Sequence, residues 1–183
     1  MEPQKKEYYT VEDWLSWDED VRAELYEGTL IMLAQPNIRH QAILGELHGQ
    51  LHAFLKGKPC RVYPAPTGVR LFDYEDTAFE PDIVVVCDAS KLDGKICRGA
   101  PDMVIEILSP STAKMDRSYK YRKYEKAGVR EYWIVDPDAN VLQAAVLRDG
   151  KYLSTIYIDE DESAPVTVLE GCVINLADVF NAE

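Results

Sequence analysis

The sequence predicts a mixed β-sheet flanked by helices, an architecture of the α/β or α+β kind with a hairpin added at each end. Three observations carry that prediction. Asp82–Cys87 and Met103–Leu108 are almost wholly apolar and short, which suits strands in a sheet covered on both faces. From Ile38 to about Leu55, Ile43, Leu47, Leu51, Phe54 and Leu55 recur at three- and four-residue steps, which marks an amphipathic helix. Strand-like and helical patterns also alternate along the chain, as they must if helices are to cover a sheet.

The elements follow in order. Thr10-Val-Glu-Asp13 reads as a capping box opening a short helix that carries Trp14, Leu15 and Trp17. Glu27-Gly28 lies between two strand-like runs, a hairpin signal. The long helix ends at Lys56-Gly57-Lys58-Pro59, and strands are expected at Arg61–Tyr63 and Gly68–Phe72 before the two apolar runs. A second helix is expected from Thr112 to Ala127, stopped by Gly128, and Glu131–Val135 reads as another buried strand. Val141–Leu147 and Tyr152–Ile158 form a late hairpin, and a terminal helical turn falls around Leu176–Phe180.

Composition bounds the function. With 183 residues, 46% apolar and 28% charged, residues 1–183 suit one globular domain. No run approaches the roughly 18 apolar residues that span a bilayer, and MEPQKKEYY lacks the core of a secretion signal, so a cytoplasmic protein with no membrane partner is expected. Cys60, Cys87, Cys97 and Cys172 show no Cys-x-x-Cys spacing and read as four reduced thiols. A net charge of −12 argues against bulk attraction to nucleic acid. Between Lys114 and Arg130, however, seven bases stand against two acids, a local +5 that leaves −17 for the rest. That segment reads either as a solvated helix face or as a surface turned to phosphate.

Two carboxylates resist a purely structural account. Glu106 sits inside an apolar strand, where an unpaired charge would cost several kcal/mol or take up a proton. Asp82 opens the other apolar run, at a strand end that can reach a cleft. If the strands are neighbours, both could converge on one hard cation such as Mg²⁺. The alternative is that Glu106 pairs with a buried Lys or Arg while Asp82 caps a turn. Lys120, four residues before Tyr124 on the same helix face, could sit beside the carboxylates, orienting or helping deprotonate a water, or could snorkel to solvent.

Glu80-Pro81-Asp82, Gly99–Thr112, Asp116-Arg-Ser-Tyr-Lys120 with Tyr124, and Ala127–Trp133 together resemble the Uma-type family of restriction-endonuclease-like proteins, a branch of the PD-(D/E)XK phosphodiesterase superfamily. The resemblance extends through Glu24-Leu-Tyr-Glu-Gly28 and Arg39-His40-Gln41 to Asp136-Pro137, roughly residues 10 to 180. It implies a restriction-endonuclease-like core with a mixed central sheet. It also implies Mg²⁺ or Mn²⁺ held by Asp82, Glu106 and the backbone carbonyl of Ile107, and hydrolysis of phosphodiesters in DNA, with RNA as a second substrate. The superfamily's usual lysine position is taken by Leu108, and Lys120 on the following helix matches it in this branch. Glu24 and His40 are expected to add substrate or supporting contacts. The competing readings are a catalytically silent domain binding nucleic acid or protein, and a metal hydrolase acting on another phosphoester. Apolar edge strands would suit a homodimer.

Other candidates carry less. His48 and His52 have the four-residue spacing of paired metal ligands, but no third ligand is evident and an ordinary helix face accounts for them. Asp159 to Glu162 lacks the ligand spacing of a calcium loop and reads as a solvated turn. There is no phosphate-cradling Gly-rich loop and no Gly-x-Ser-x-Gly elbow.

Overall fold

The computed structural model describes residues 6–18, 21–158 and 163–182. Its centre is a six-stranded mixed sheet. The chain opens with helix α1 (Val11–Leu15), where Thr10 and Asp13 close the expected capping box, each side chain accepting the other residue's backbone N–H. Strands β1 (Ala23–Tyr26) and β2 (Thr29–Met32) form the first hairpin. Its turn requires positive φ at Glu27 (48°) and Gly28 (80°), and the Tyr8 ring lies where a Gly28 side chain would be.

Helix α2 (Ile38–Leu55) matches the apolar periodicity and is capped by Asn37, whose side chain accepts the His40 N–H at 2.8 Å. Strands β3 (Arg61–Pro64), β4 (Gly68–Arg70), β5 (Ile83–Val86), β6 (Ile96–Arg98) and β7 (Met103–Ile107) follow. After them come a helical stretch, α3 (Ala113–Met115) to α4 (Tyr121–Ala127), then β8 (Glu131–Asp136), β9 (Val141–Arg148), β10 (Lys151–Ile158), β11 (Ser163–Pro165), β12 (Val173–Asn175) and α5 (Leu176–Phe180). The central sheet runs β10-β9-β8-β7-β5-β3, with β7 and β8 parallel and the other pairs antiparallel. The late hairpin therefore completes this sheet as its last two strands.

Alternation along the central strands sends side chains to two separate cores. Ile83, Val85, Met103, Ile105 and Trp133 pack under Ile43, Leu47 and Leu51 of α2. Val84, Val104, Tyr132 and Ile134 pack on the opposite face with Phe79 and Tyr124 of α4. This double covering explains why β5 and β7 read as continuous apolar runs. A third cluster seats α1 through Val11 and Trp14 against Leu25, Ala78 and Ile96. Among the described residues no helix is long and apolar enough to cross a membrane.

Two expectations need correction. The helix expected from Thr112 to Ala127 is interrupted by a π-helical turn over Asp116–Lys120. Cys60 and Cys87 are not free thiols but form a disulfide, because they lie just beyond the Arg61–Val86 pair that ends the β3–β5 ladder. Cys97 and Cys172 are free and buried. The acidic run Asp159 to Glu162 lies outside the described residues.

Candidate active site

The β5–β7 ladder pairs Ile83 with Ile105, so the next step along each strand brings Asp82 beside Glu106. Asp82 accepts the Ile107 N–H at 2.7 Å, and His40, from the first turn of α2, places Nε2 3.3 Å from the same carboxylate oxygen. Burial works against charging His40, but the Asp82 carboxylate outweighs it and holds the imidazole above its ordinary value. Glu106 points to the opposite face from α2, toward the π-helical turn, and is 4% exposed.

That turn carries Lys120 to the carboxylates. Residues four apart on a helical stretch lie on one face, as Asp116 and Lys120 do here. Asp116 and Lys120 consequently enter the protein together, 1% and 2% exposed. The Lys120 Nζ lies 2.8 Å from Glu24 Oε1, 3.0 Å from Glu106 Oε1 and 3.2 Å from Asp116 Oδ1. Tyr124, one turn on, donates its hydroxyl to Glu106 Oε1 at 3.0 Å. Glu24, from β1, also accepts the Tyr26 hydroxyl at 2.5 Å and the Glu80 N–H at 2.9 Å. Lys120 thus does not snorkel to solvent; it is the hub of a buried ionic cluster.

The electrostatics follow from burial. Desolvation pushes the Glu106 carboxyl well above the usual range, Lys120 offsets part of this, and Asp116, Glu24 and Asp82 push it further up. Desolvation would lower Lys120, but Glu106, Glu24 and Asp116 overrule it and hold the ammonium well above the ordinary lysine value. Burial likewise raises Asp116 and Glu80, against the opposing pull of Lys120 on Asp116 and of Arg22 on Glu80. Glu131, buried at the start of β8, provides a contrast. Its carboxylate is satisfied by the Trp133 indole N–H at 2.7 Å and the Val168 N–H at 2.8 Å, and it is not among the residues that line the cleft beside Glu106. Neutral donors meet its needs, whereas Glu106 sits in a crowd of acids. Tyr124→Phe should remove one hydrogen bond to Glu106 and cost about 1 kcal/mol, read as a small drop in melting temperature.

Asp82, Glu106, Glu24, Glu80 and Lys120 open on one cleft of about 350 Å³, walled by the 33–37 loop, the 107–112 loop and the Pro137-Asp138 turn. Lining acids outnumber strong cations, since Asp138 joins the four carboxylates while only Arg22, Arg39 and Lys120 oppose them. Arg22 is paired to Glu80 at 3.4 Å, and Arg39 is tied to Pro137, Asn140 and Phe180. No three His, Cys, Asp or Glu side chains are pre-grouped as a metal cage among the described residues. Mg²⁺ does not require one: it is commonly held by one or two carboxylates, with carbonyl, substrate and water oxygens completing its shell. The excess of carboxylates fits a divalent cation.

Sequence reasoning identified Asp82, Glu106, Lys120, Glu24 and His40, and the structure brings all five to this region. It did not single out Asp116, Glu80, Tyr26 or Tyr124 as parts of the cluster. The four-residue spacing of Asp116, Lys120 and Tyr124 was the available signal. The local +5 of residues 114–130 is largely neutralised: Arg117 pairs with Asp136, Lys123 with Glu27 and Glu75, Lys126 with Glu75, and Arg130 with Asp102. His48 and His52 stack on the outside of α2, their ring centroids 5.8 Å apart.

The mixed central sheet flanked by helices, with this cleft at its strand ends, is similar to a fold described for a putative nuclease. A crystal structure described as a putative nuclease belonging to DUF820, from Anabaena variabilis, superposes with a TM-score of 0.76 over 94% of this chain and 97% of that one, at 22% identity. The family model described as "Uma2: Putative restriction endonuclease" matches residues 7–177, and the chain belongs to that family. A curated relative, "Uncharacterized protein slr1290" of Synechocystis sp., is 27% identical over 115 residues, covering 62% of this chain and 60% of its own length.

Proposed function

We propose that this protein is a divalent-metal-dependent nuclease that hydrolyses phosphodiester bonds in DNA. The observation that supports this most is the meeting of Asp82, Glu106 and Lys120 on one cleft, with Glu24 and Asp116 sharing the lysine. Asp82, Glu106 and the Ile107 carbonyl are the groups that would hold Mg²⁺ or Mn²⁺, which when bound supplies Lewis-acid polarisation of the phosphoryl group and an acidified water. His40 orients Asp82 from the side of α2. Lys120, its ammonium held by three carboxylates, serves as a hydrogen-bond donor that orients the attacking water and as counter-charge to the phosphate. Glu24 fixes the ammonium in place and is itself fixed by Tyr26 and the Glu80 N–H.

The test is a cleavage panel of single- and double-stranded DNA and of RNA with Mg²⁺, with Mn²⁺, and with EDTA. Metal-dependent breakage of DNA is expected, abolished by EDTA. Absence of cleavage of every substrate at high protein concentration would favour the silent binding domain, a reading to which the neutralised basic segment lends support.

A further inference from the structure

Strand β10 ends the central sheet, and its outer edge lacks the usual protections. The two-residue turn Asp149-Gly150, with φ of 49° and 77°, makes Arg148 and Lys151 the closing pair of the hairpin. Leu153, Thr155 and Tyr157 then direct their backbone groups to β9, while Tyr152, Ser154, Ile156 and Ile158 direct theirs outward. The Leu147 N–H, donated to Arg130 O on the far side of β9, fixes the same alternation independently. The outward Tyr152 N–H is occupied by Glu125 at 2.8 Å. Among the described residues nothing pairs with the backbone of Ser154 or Ile156.

Natural sheet edges are guarded by lysines, prolines, bulges or brevity. Here β9 and β10 pair over eight consecutive positions without a bulge. The segment Tyr152-Leu-Ser-Thr-Ile-Tyr-Ile158 has no charge, proline or glycine, in a chain of net charge −12. Leu153 is 63% and Ile156 59% exposed.

We propose that β10 pairs antiparallel with β10 of a second copy, about a two-fold axis through Thr155, joining two six-stranded sheets into one. Ser154 of each copy then exchanges both backbone hydrogen bonds with Ile156 of the other, the two positions that are open. The turn before the strand carries Arg148, Asp149 and Lys151, a net +1 in sequence with Lys151 paired to Glu125, and the four residues after it, Asp159 to Glu162, are all acidic. Antiparallel order brings the acidic end of one copy's sequence to the turn of the other, where parallel order would bring the two acidic runs together. Such an axis lies normal to the sheet, so the two clefts open at opposite ends of the joined sheet, each independent of the other.

Light scattering across a concentration series tests this. Wild type should show twice the 20.8 kDa chain mass, whereas Ile156→Pro and Ile156→Lys should show the single-chain mass. Thr155→Cys should cross-link to the doubled mass under mild oxidation, because the two cysteines would be directly opposed across strands. Val173→Cys, at an exposed position on β12, should not. The cross-link result stands even if the Ile156 variants fail to fold. A single-chain mass for wild type at every concentration, or a doubled mass retained by soluble, folded Ile156→Pro, would overturn the proposal.

Discussion

Lys120→Met should destabilise the fold by about 3–5 kcal/mol, because it removes the one ammonium shared by three buried carboxylates. For a chain of this length that corresponds to a fall in melting temperature of roughly 6–20 °C. The loss should be smaller at pH 5 than at pH 8. Burial already raises Glu106 and Asp116, so between the unfolded and folded carboxyl values the folded protein binds more protons than the unfolded chain. Stability therefore falls as pH rises through that window, and removing Lys120 widens it. Thermal melts followed by circular dichroism at the two pH values check this. A variant melting within about 2 °C of wild type at pH 8 would mean that the ammonium is not the buried counter-ion of this cluster.

Glu106→Gln should abolish cleavage while leaving the protein folded. The amide is isosteric and its oxygen can still accept from Lys120 and Tyr124, both now 3.0 Å from Glu106 Oε1. Lys120 also keeps Glu24 and Asp116. On the proposed function the variant loses a charged ligand for a divalent cation, worth several kcal/mol of transition-state stabilisation, or a fall in rate of at least about 10²–10³-fold. Measured rates in Mg²⁺ beside a melting curve separate the two effects. A rate within tenfold of wild type would remove Glu106 from the chemistry.

Much of this could be read from the chain, for physical reasons that differ by element. The apolar runs at Ile83–Val86 and Met103–Ile107 were plain because both faces of the sheet are covered, so no polar alternation interrupts them. Helix α2 and the Thr10–Asp13 capping box were legible because each obeys a local rule. Glu106 stood out because an apolar strand has no reason to carry a carboxylate. The π turn was not legible, since its residues have ordinary helical composition. The Cys60–Cys87 bridge depends on the β3–β5 register, which spacing alone does not reveal. The fate of the basic segment depended on partners remote in sequence, Glu27, Glu75, Asp102 and Asp136, which no window over residues 114–130 contains. Glu80 was passed over because the Pro81-Asp82 that follows it is the more conspicuous pair.

The proposed function requires that the Asp82–Glu106 cleft hold a divalent cation. Titration of Mn²⁺ into the wild-type protein and Asp82→Asn, followed calorimetrically, tests it without requiring turnover. Wild type should bind saturably, and the affinity of the variant should be weaker by at least about tenfold. No detectable Mn²⁺ binding by wild type, or binding that Asp82→Asn leaves unchanged, would contradict it.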